Sequence, residues 1–184
     1  MRVQLLMLEA LIDAVGRTDK ERFLEEHQGV FLVAMGVLSA EVVRSATRAN
    51  KTVALAMGRD RKHDLKSKHP LAGCAFLLQA RDQSPTVDLG RAVECDIAVP
   101  DESVSERHCR LELTDEGLLA VDLNPTNFTQ VNLRALAPGQ AVLLADEDIL
   151  TLGRYSFQVM SATTLYAALA LLRAIRAEDE DGPR

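Results

Sequence analysis

Three short stretches carry side chains suited to chemistry: Gly90-Arg91, Ser105-Glu106-Arg107-His108 and Thr126-Asn127. Arg91 offers a planar fork of N–H donors that matches a phosphate in shape and charge, and such charge-assisted hydrogen bonds are among the strong ones. Ser105 adds a hydroxyl donor for the same anion. Asn127 both donates and accepts, which suits holding an extended peptide main chain. Read alone, Arg91 is also compatible with a surface cation, and Thr126-Asn127 with a turn closed by its own side chains. A Ser105–His108 hydrolase would need an acid partner and an oxyanion hole, and no Gly-x-Ser-x-Gly elbow exists. The set binds and does not catalyse, and it calls for no cofactor.

These residues need a scaffold that displays loops. From Pro70 onward, short Val/Ile/Leu-rich runs alternate with turn residues about every ten positions, the texture of a sandwich or barrel and not of a βαβ fold. Runs fall at 71–79, 86–89, 96–99, 110–113, 118–123, 130–132, 141–145 and 149–160. Turn signals separate them, among them 81–85, Pro100-Asp101 and Asp115-Glu116-Gly117. The polar residues singled out above sit where runs end.

Taken in order and with their spacing, these motifs resemble the forkhead-associated (FHA) domain over about residues 71–160. Gly90-Arg91 matches the family's opening pair. Ser105-Glu106-Arg107-His108, preceded by Ser103-Val104, matches its Ser-x-x-His, and Thr126-Asn127, followed by Thr129, Val131 and Asn132, matches its Thr-Asn loop. Asp146-Glu147-Asp148-Ile149 and Leu152-Gly153 look like the family's ending. The resemblance implies a mainly β fold, an FHA-like antiparallel β-sandwich, and a reader of phosphothreonine peptides. It implies that Arg91 and Ser105 contact phosphate, that Asn127 holds the peptide main chain, and that Thr126 shapes the pocket. Glu106 and Arg107 join the same peptide-binding face, while Gly90 and His108 are structural, His108 bracing its loop.

Two positions depart from the family pattern. Glu106 stands where a donor is usual, so it either pairs with Arg107 or Arg110 or selects a peptide with a basic flank. Asn124-Pro125-Thr126-Asn127-Phe128 replaces a glycine-containing turn. Pro125 stiffens it, and Phe128 replaces a residue free to take positive φ, so the turn must differ. An exposed Phe128 is a ligand contact; a buried one is a loop anchor.

The flanks read as helical. Leu5, Leu8, Leu11, Ile12 and Val15 share one helical face over residues 3–15, ended by Gly16. Thr18 and Glu21 form a capping-box pattern, with a second helix starting near Asp19. Residues 30–37 are an apolar run of strand length, and Ser39 caps a further helix through Ala46. Residues 59–69 mix Arg, Lys, Asp and His and read as a linker, with a basic arm for an acidic partner as the alternative. After Met160, Leu165, Ala168, Leu169, Leu172 and Ile175 form a helical stripe, closed by an acidic tail. The expected organisation is a mostly helical region at 1–58, a basic linker at 59–69, the sandwich at 70–161, and a C-terminal helix with tail at 162–184. The stripe is expected to pack on the N-terminal region, with a homo-oligomer interface as the alternative.

Composition narrows the classes. Of 184 residues, 47% are hydrophobic and 26% charged, those of a folded chain, and without Trp the core must be built from Leu, Val, Ile and Ala. A net charge of −6 argues against nucleic acid as a partner, since that field repels phosphate backbones. Cys74, Cys95 and Cys109 lack paired spacing and read as reduced thiols, two of them on buried strands, with no metal site. No leader pattern and no apolar window of membrane-spanning length appears, so a cytoplasmic protein is expected, with no membrane partner. The expected function is a phosphothreonine-binding adaptor in bacterial-type Ser/Thr kinase signalling, its partner a kinase or a kinase substrate. The alternative is a phosphate-independent scaffold with a degenerate pocket, assembled through the helical flanks.

Overall fold

The apolar runs assemble into two sheets in this computed structural model, which describes residues 1–37, 71–80 and 85–180. The helix expected after Ser39, the linker at 59–69 and the turn residues at 81–84 lie outside the described residues. In chain order the elements are β1 (Arg2–Met7), α1 (Leu8–Arg17), α2 (Lys20–Glu26), β2 (Val30–Val37), β3 (Cys74–Gln79), β4 (Thr86–Gly90), β5 (Ile97–Ala98) and β6 (Cys109–Thr114). Next come β7 (Gly117–Asp122), β8 (Thr129–Val131), β9 (Arg134–Ala135), β10 (Ala141–Leu144), β11 (Ile149–Leu152), β12 (Tyr155–Ser161) and α3 (Ala162–Glu180). One sheet has the order β1-β3-β2-β12-β11-β8-β9, the other β10-β7-β6-β4-β5. Pairing is antiparallel throughout except for a short parallel contact between β4 and β5.

The unbroken apolar run of β2 has a physical cause: both of its faces are buried. Leu32 and Ala34 point into the sandwich, with Phe76 and Leu78 of β3 and Tyr155, Phe157 and Val159 of β12. Across the gap they meet Val87, Leu89, Leu111, Leu118 and Ala120 of the second sheet. Phe31 and Val33 point the other way, with Ala75 and Leu77, into a second core under the helices. There Leu11, Ile12 and Val15 of α1, Phe23 of α2 and Leu165 and Leu169 of α3 cover the sheet. A strand buried on both sides loses the in–out alternation that marks a half-exposed one. Arg176 of α3 donates to both carboxylate oxygens of Glu9 on α1, at 2.6 and 2.7 Å, which orients the helical layer.

The N-terminus departs from the helical expectation. Residues 2–7 are a strand, not the first turns of a helix, because β1 pairs in register with β3 from Arg2↔Gln79 to Met7↔Cys74. β2 is inserted between β3 and β12, so the described part of the region adds two strands to the sandwich sheet besides its two helices. The cap of α2 is Asp19, whose side chain accepts from Arg22 N at 2.9 Å; Thr18 instead donates to the Ala14 carbonyl. The run at 149–160 is a hairpin, β11 and β12 joined through Gly153 at φ 58°. The C-terminal stripe packs within the chain, as expected, with Leu165, Ala168 and Leu169 buried. Cys74 and Cys109 are buried on β3 and β6, and the three thiols are free. Among the described residues, no helix is long and apolar enough to cross a membrane.

Candidate functional site

β4 ends at Gly90, and the shape of the site depends on how closely the 105–107 segment can approach this residue. A Cβ at Gly90 would lie 2.1 Å from the Glu106 carbonyl oxygen, so only glycine lets that segment run alongside. The two segments are stitched by backbone bonds: Arg91 N to Ser105 O at 2.8 Å, Ala92 N to Glu106 O at 3.1 Å, and His108 N to Leu89 O at 2.9 Å. Arg91 Nε donates to the Val104 carbonyl at 3.2 Å, which pins the guanidinium beside Ser105. Its Nη groups have no acceptor among the described residues, and the side chain is exposed.

Ser105 links this pair of segments to the β7–β8 loop. Its Oγ accepts from Thr126 N at 3.0 Å, so the hydroxyl proton stays available to a further acceptor. Its backbone N–H donates to His108 Nδ1 at 3.1 Å, which assigns the ring proton to Nε2. His108 is fully buried, and that burial pushes its pKa below the usual imidazole value, so the ring is a neutral brace. Nε2 itself reaches no hydrogen-bond partner among the described residues.

The Thr126-Asn127 loop is held from below by Asp122. This buried carboxylate accepts from Asn124 N at 2.8 Å and Thr129 N at 3.2 Å. The turn does differ from a glycine-based one, as Pro125 and Phe128 require: the positive φ falls on Asn124, at 60°. Asn is among the residues that tolerate this region. Phe128 is 61% exposed, which removes the loop-anchor alternative.

Ser103 is a hub that sequence reasoning missed. Its carbonyl accepts from Asn127 Nδ2 at 2.9 Å; its N–H and Oγ donate to Asp101 Oδ1 at 2.9 and 2.7 Å; and its Oγ accepts from Arg154 N at 3.0 Å. Arg154 Nε also reaches both Asp101 oxygens, at 3.1 and 3.0 Å. Burial works to raise the Asp101 pKa, but the Ser103 and Arg154 donors outweigh it and hold the carboxyl below the usual range. Asp101-x-Ser103 is a local side-chain turn and was detectable as such. Arg154, more than fifty residues away, carried no sequence signal.

Arg91, Ser105, Thr126 and Asn127 are thus brought together over a braced His108, with Gly90 allowing the approach. Arg107 is not free to join them: it pairs with Asp88, as does Arg110, whose Nε lies 2.7 Å from Asp88 Oδ1. The Arg110 bond above all, then that from Arg107, holds the Asp88 carboxyl below its usual pKa despite partial burial. Neither arginine pairs with Glu106, which is exposed. Of the arginines in these loops, Arg154 pairs with Asp101 while Arg107 and Arg110 share Asp88, leaving Arg91 without a carboxylate partner among the described residues.

A family model described as the FHA domain matches residues 87–153. An FHA domain-containing protein of Arabidopsis thaliana is 36% identical over 80 residues, 42% of this chain and 21% of that protein. The glycogen accumulation regulator GarA of Mycolicibacterium smegmatis is 36% identical over 86 residues, 47% of this chain and 50% of that protein. A solved structure from work on phosphothreonine-dependent FHA domain interactions is 30% identical, covers 48% of this chain and 85% of its own, and superposes with a TM-score of 0.43. The chain spans half or less of the length of these two curated relatives. It is an FHA-domain protein, and residues 87–153, carrying the loop cluster just described, are that domain.

Proposed function

We propose that this chain is a phosphothreonine-dependent adaptor: it binds a partner protein phosphorylated by a Ser/Thr kinase, either the kinase itself or its substrate, in the cytoplasm. The observation that carries the reading is Arg91. Its guanidinium is positioned by the Val104 carbonyl yet keeps its Nη donors, next to a serine whose proton has no acceptor among the described residues. A phosphothreonine brings about −1.5 to −2 charges and three acceptor oxygens near neutral pH. Arg91 engages two of those oxygens and Ser105 one. Asn127, braced through Nδ2, keeps its Oδ1 for a main-chain N–H of the peptide.

The same geometry disfavours catalysis. His108 Nδ1 accepts from the Ser105 backbone, so the ring is not placed to take the Ser105 hydroxyl proton. The scaffold alternative drew on the helical stripe, whose first three members, Leu165, Ala168 and Leu169, are buried within the chain.

Calorimetry with matched threonine and phosphothreonine peptides tests the proposal. Arg91→Ala is expected to weaken the phosphorylated peptide about a hundredfold, from the roughly 3 kcal/mol of two charge-assisted bonds. Arg91→Lys falls between, because a point charge replaces the fork. Binding should also weaken below about pH 6, as the phosphate takes up its second proton. Equal affinity of wild type and Arg91→Ala for both peptides refutes the proposal.

A further inference from the structure

Glu106 directly follows Ser105, and Phe128 directly follows Asn127, so two side chains border the site on opposite loops. Arg107 and Arg110 follow Glu106 by one and four residues, but Asp88 holds both. Its exposed carboxylate therefore has no cation paired with it among the described residues. Phe128 is 61% exposed, yet the chain on either side of it is fastened. Asn127 is tied to the Ser103 carbonyl, and the fully buried Thr129 is tied to Asp122. The exposure of this ring does not come from a slack loop. An aromatic ring held in place beside a polar clamp offers apolar area that a bound peptide can cover.

Resting on the phosphothreonine reading, we infer that the partner's phosphothreonine is flanked by a basic side chain that meets Glu106 and by an apolar side chain that covers Phe128. Acidic flanks are rejected. The electrostatics follow from the charges that the loops leave unpaired. Arg91 answers only part of the charge of a phosphate dianion, and the next cation along the loop, Arg107, is held at Asp88, which it shares with Arg110. A carboxylate on the peptide meets the unpaired Glu106, whereas a lysine or arginine there relieves both Glu106 and the phosphate. Two unit charges about 7 Å apart in a partly screened setting change affinity by roughly five- to tenfold in either direction.

Fluorescence anisotropy with labelled phosphothreonine peptides tests this. An alanine-rich frame carries Lys, Glu or Leu in turn at each position near the phosphothreonine, on both sides. At low salt, at least one position should favour Lys over Glu by about tenfold, and high salt should shrink that gap. E106Q should cut the gap to about twofold, and E106K should invert it. At least one position should favour Leu over Ala by about fivefold, a preference that F128A removes while leaving the Lys-to-Glu gap intact. Both residues are exposed, so the variants should melt as the wild type does. Binding of every phosphopeptide within about twofold of the others, with the unphosphorylated frame still rejected, overturns this inference and leaves the phosphothreonine reading standing. Failure to prefer the phosphorylated frame at all overturns both.

Discussion

Gly90→Ala asks whether the site depends on contact between two backbones. The added Cβ would lie 2.1 Å from the Glu106 carbonyl oxygen, 2.8 Å from its carbon and 3.0 Å from Arg107 Cα. All three are backbone atoms, so no side chain can swing aside, and the 105–107 segment must retreat by about 1 Å to reach ordinary contact. That retreat stretches Arg91 N to Ser105 O and Ala92 N to Glu106 O, now 2.8 and 3.1 Å. It also drags at His108 N on the Leu89 carbonyl. Two lost or weakened backbone bonds at roughly 1 kcal/mol each, with disturbed packing around buried His108, amount to about 2–4 kcal/mol of destabilisation. For a chain of this size each kcal/mol moves the melting temperature by about 2–4 °C, so a fall of roughly 4–16 °C is expected. Phosphopeptide affinity should drop more than stability suggests, because the retreat separates Arg91 from Ser105. Urea unfolding and peptide anisotropy on the purified variant measure the two effects. A stability change under about 0.5 kcal/mol with unchanged affinity would refute the close-approach argument.

Buried and paired charges govern the remaining responses. His108 is held neutral by burial, with its pKa below the ordinary value of about 6.5. The unfolded chain then binds a proton that the native state refuses, so this contribution is whole above about pH 6.5 and is lost as pH falls from there toward the native pKa. An NMR titration that finds the His108 ring protonating at or above the ordinary value contradicts it. A second loss, below about pH 4, should come from Asp88, Asp101 and Asp146, whose carboxyls are all held below their usual range. Asp88→Asn should destabilise the domain by about 1–2 kcal/mol, since Asp88 is only partly exposed and faces two arginines. It should also release Arg107 and strengthen peptides with acidic flanks about threefold; unchanged selectivity would show that Arg107 is held elsewhere.

The sequence shows the side chains that can touch a ligand more readily than those that hold them in place. Arg91, Ser105 and Asn127 were legible because their chemistry is their own and their order along the chain is distinctive. The strands were legible because alternation and turn residues are local. The supports of the site were set by pairing over long separations. Asp88 lies opposite Arg110 in the β4–β6 register, twenty-two residues away, and that cross-strand position takes Arg107 and Arg110 from Glu106. No spacing rule within the Ser-x-x-His motif points to it. Ser103 acts partly through its carbonyl, which every residue possesses, and Gly153 matters because its missing Cβ would lie 2.3 Å from that same oxygen. The error at residues 2–7 has the same origin. Leu8, Leu11, Ile12 and Val15 do line the buried face of α1, and Leu5 continues their spacing by coincidence. Leu5 itself lies on β1, 56% exposed, and its backbone pairs with Phe76. Periodicity counts neighbours along the chain, and here a strand about seventy residues away outcompeted them. Substitutions at Asp88, Ser103 or Gly153 should therefore alter recognition without touching a ligand atom.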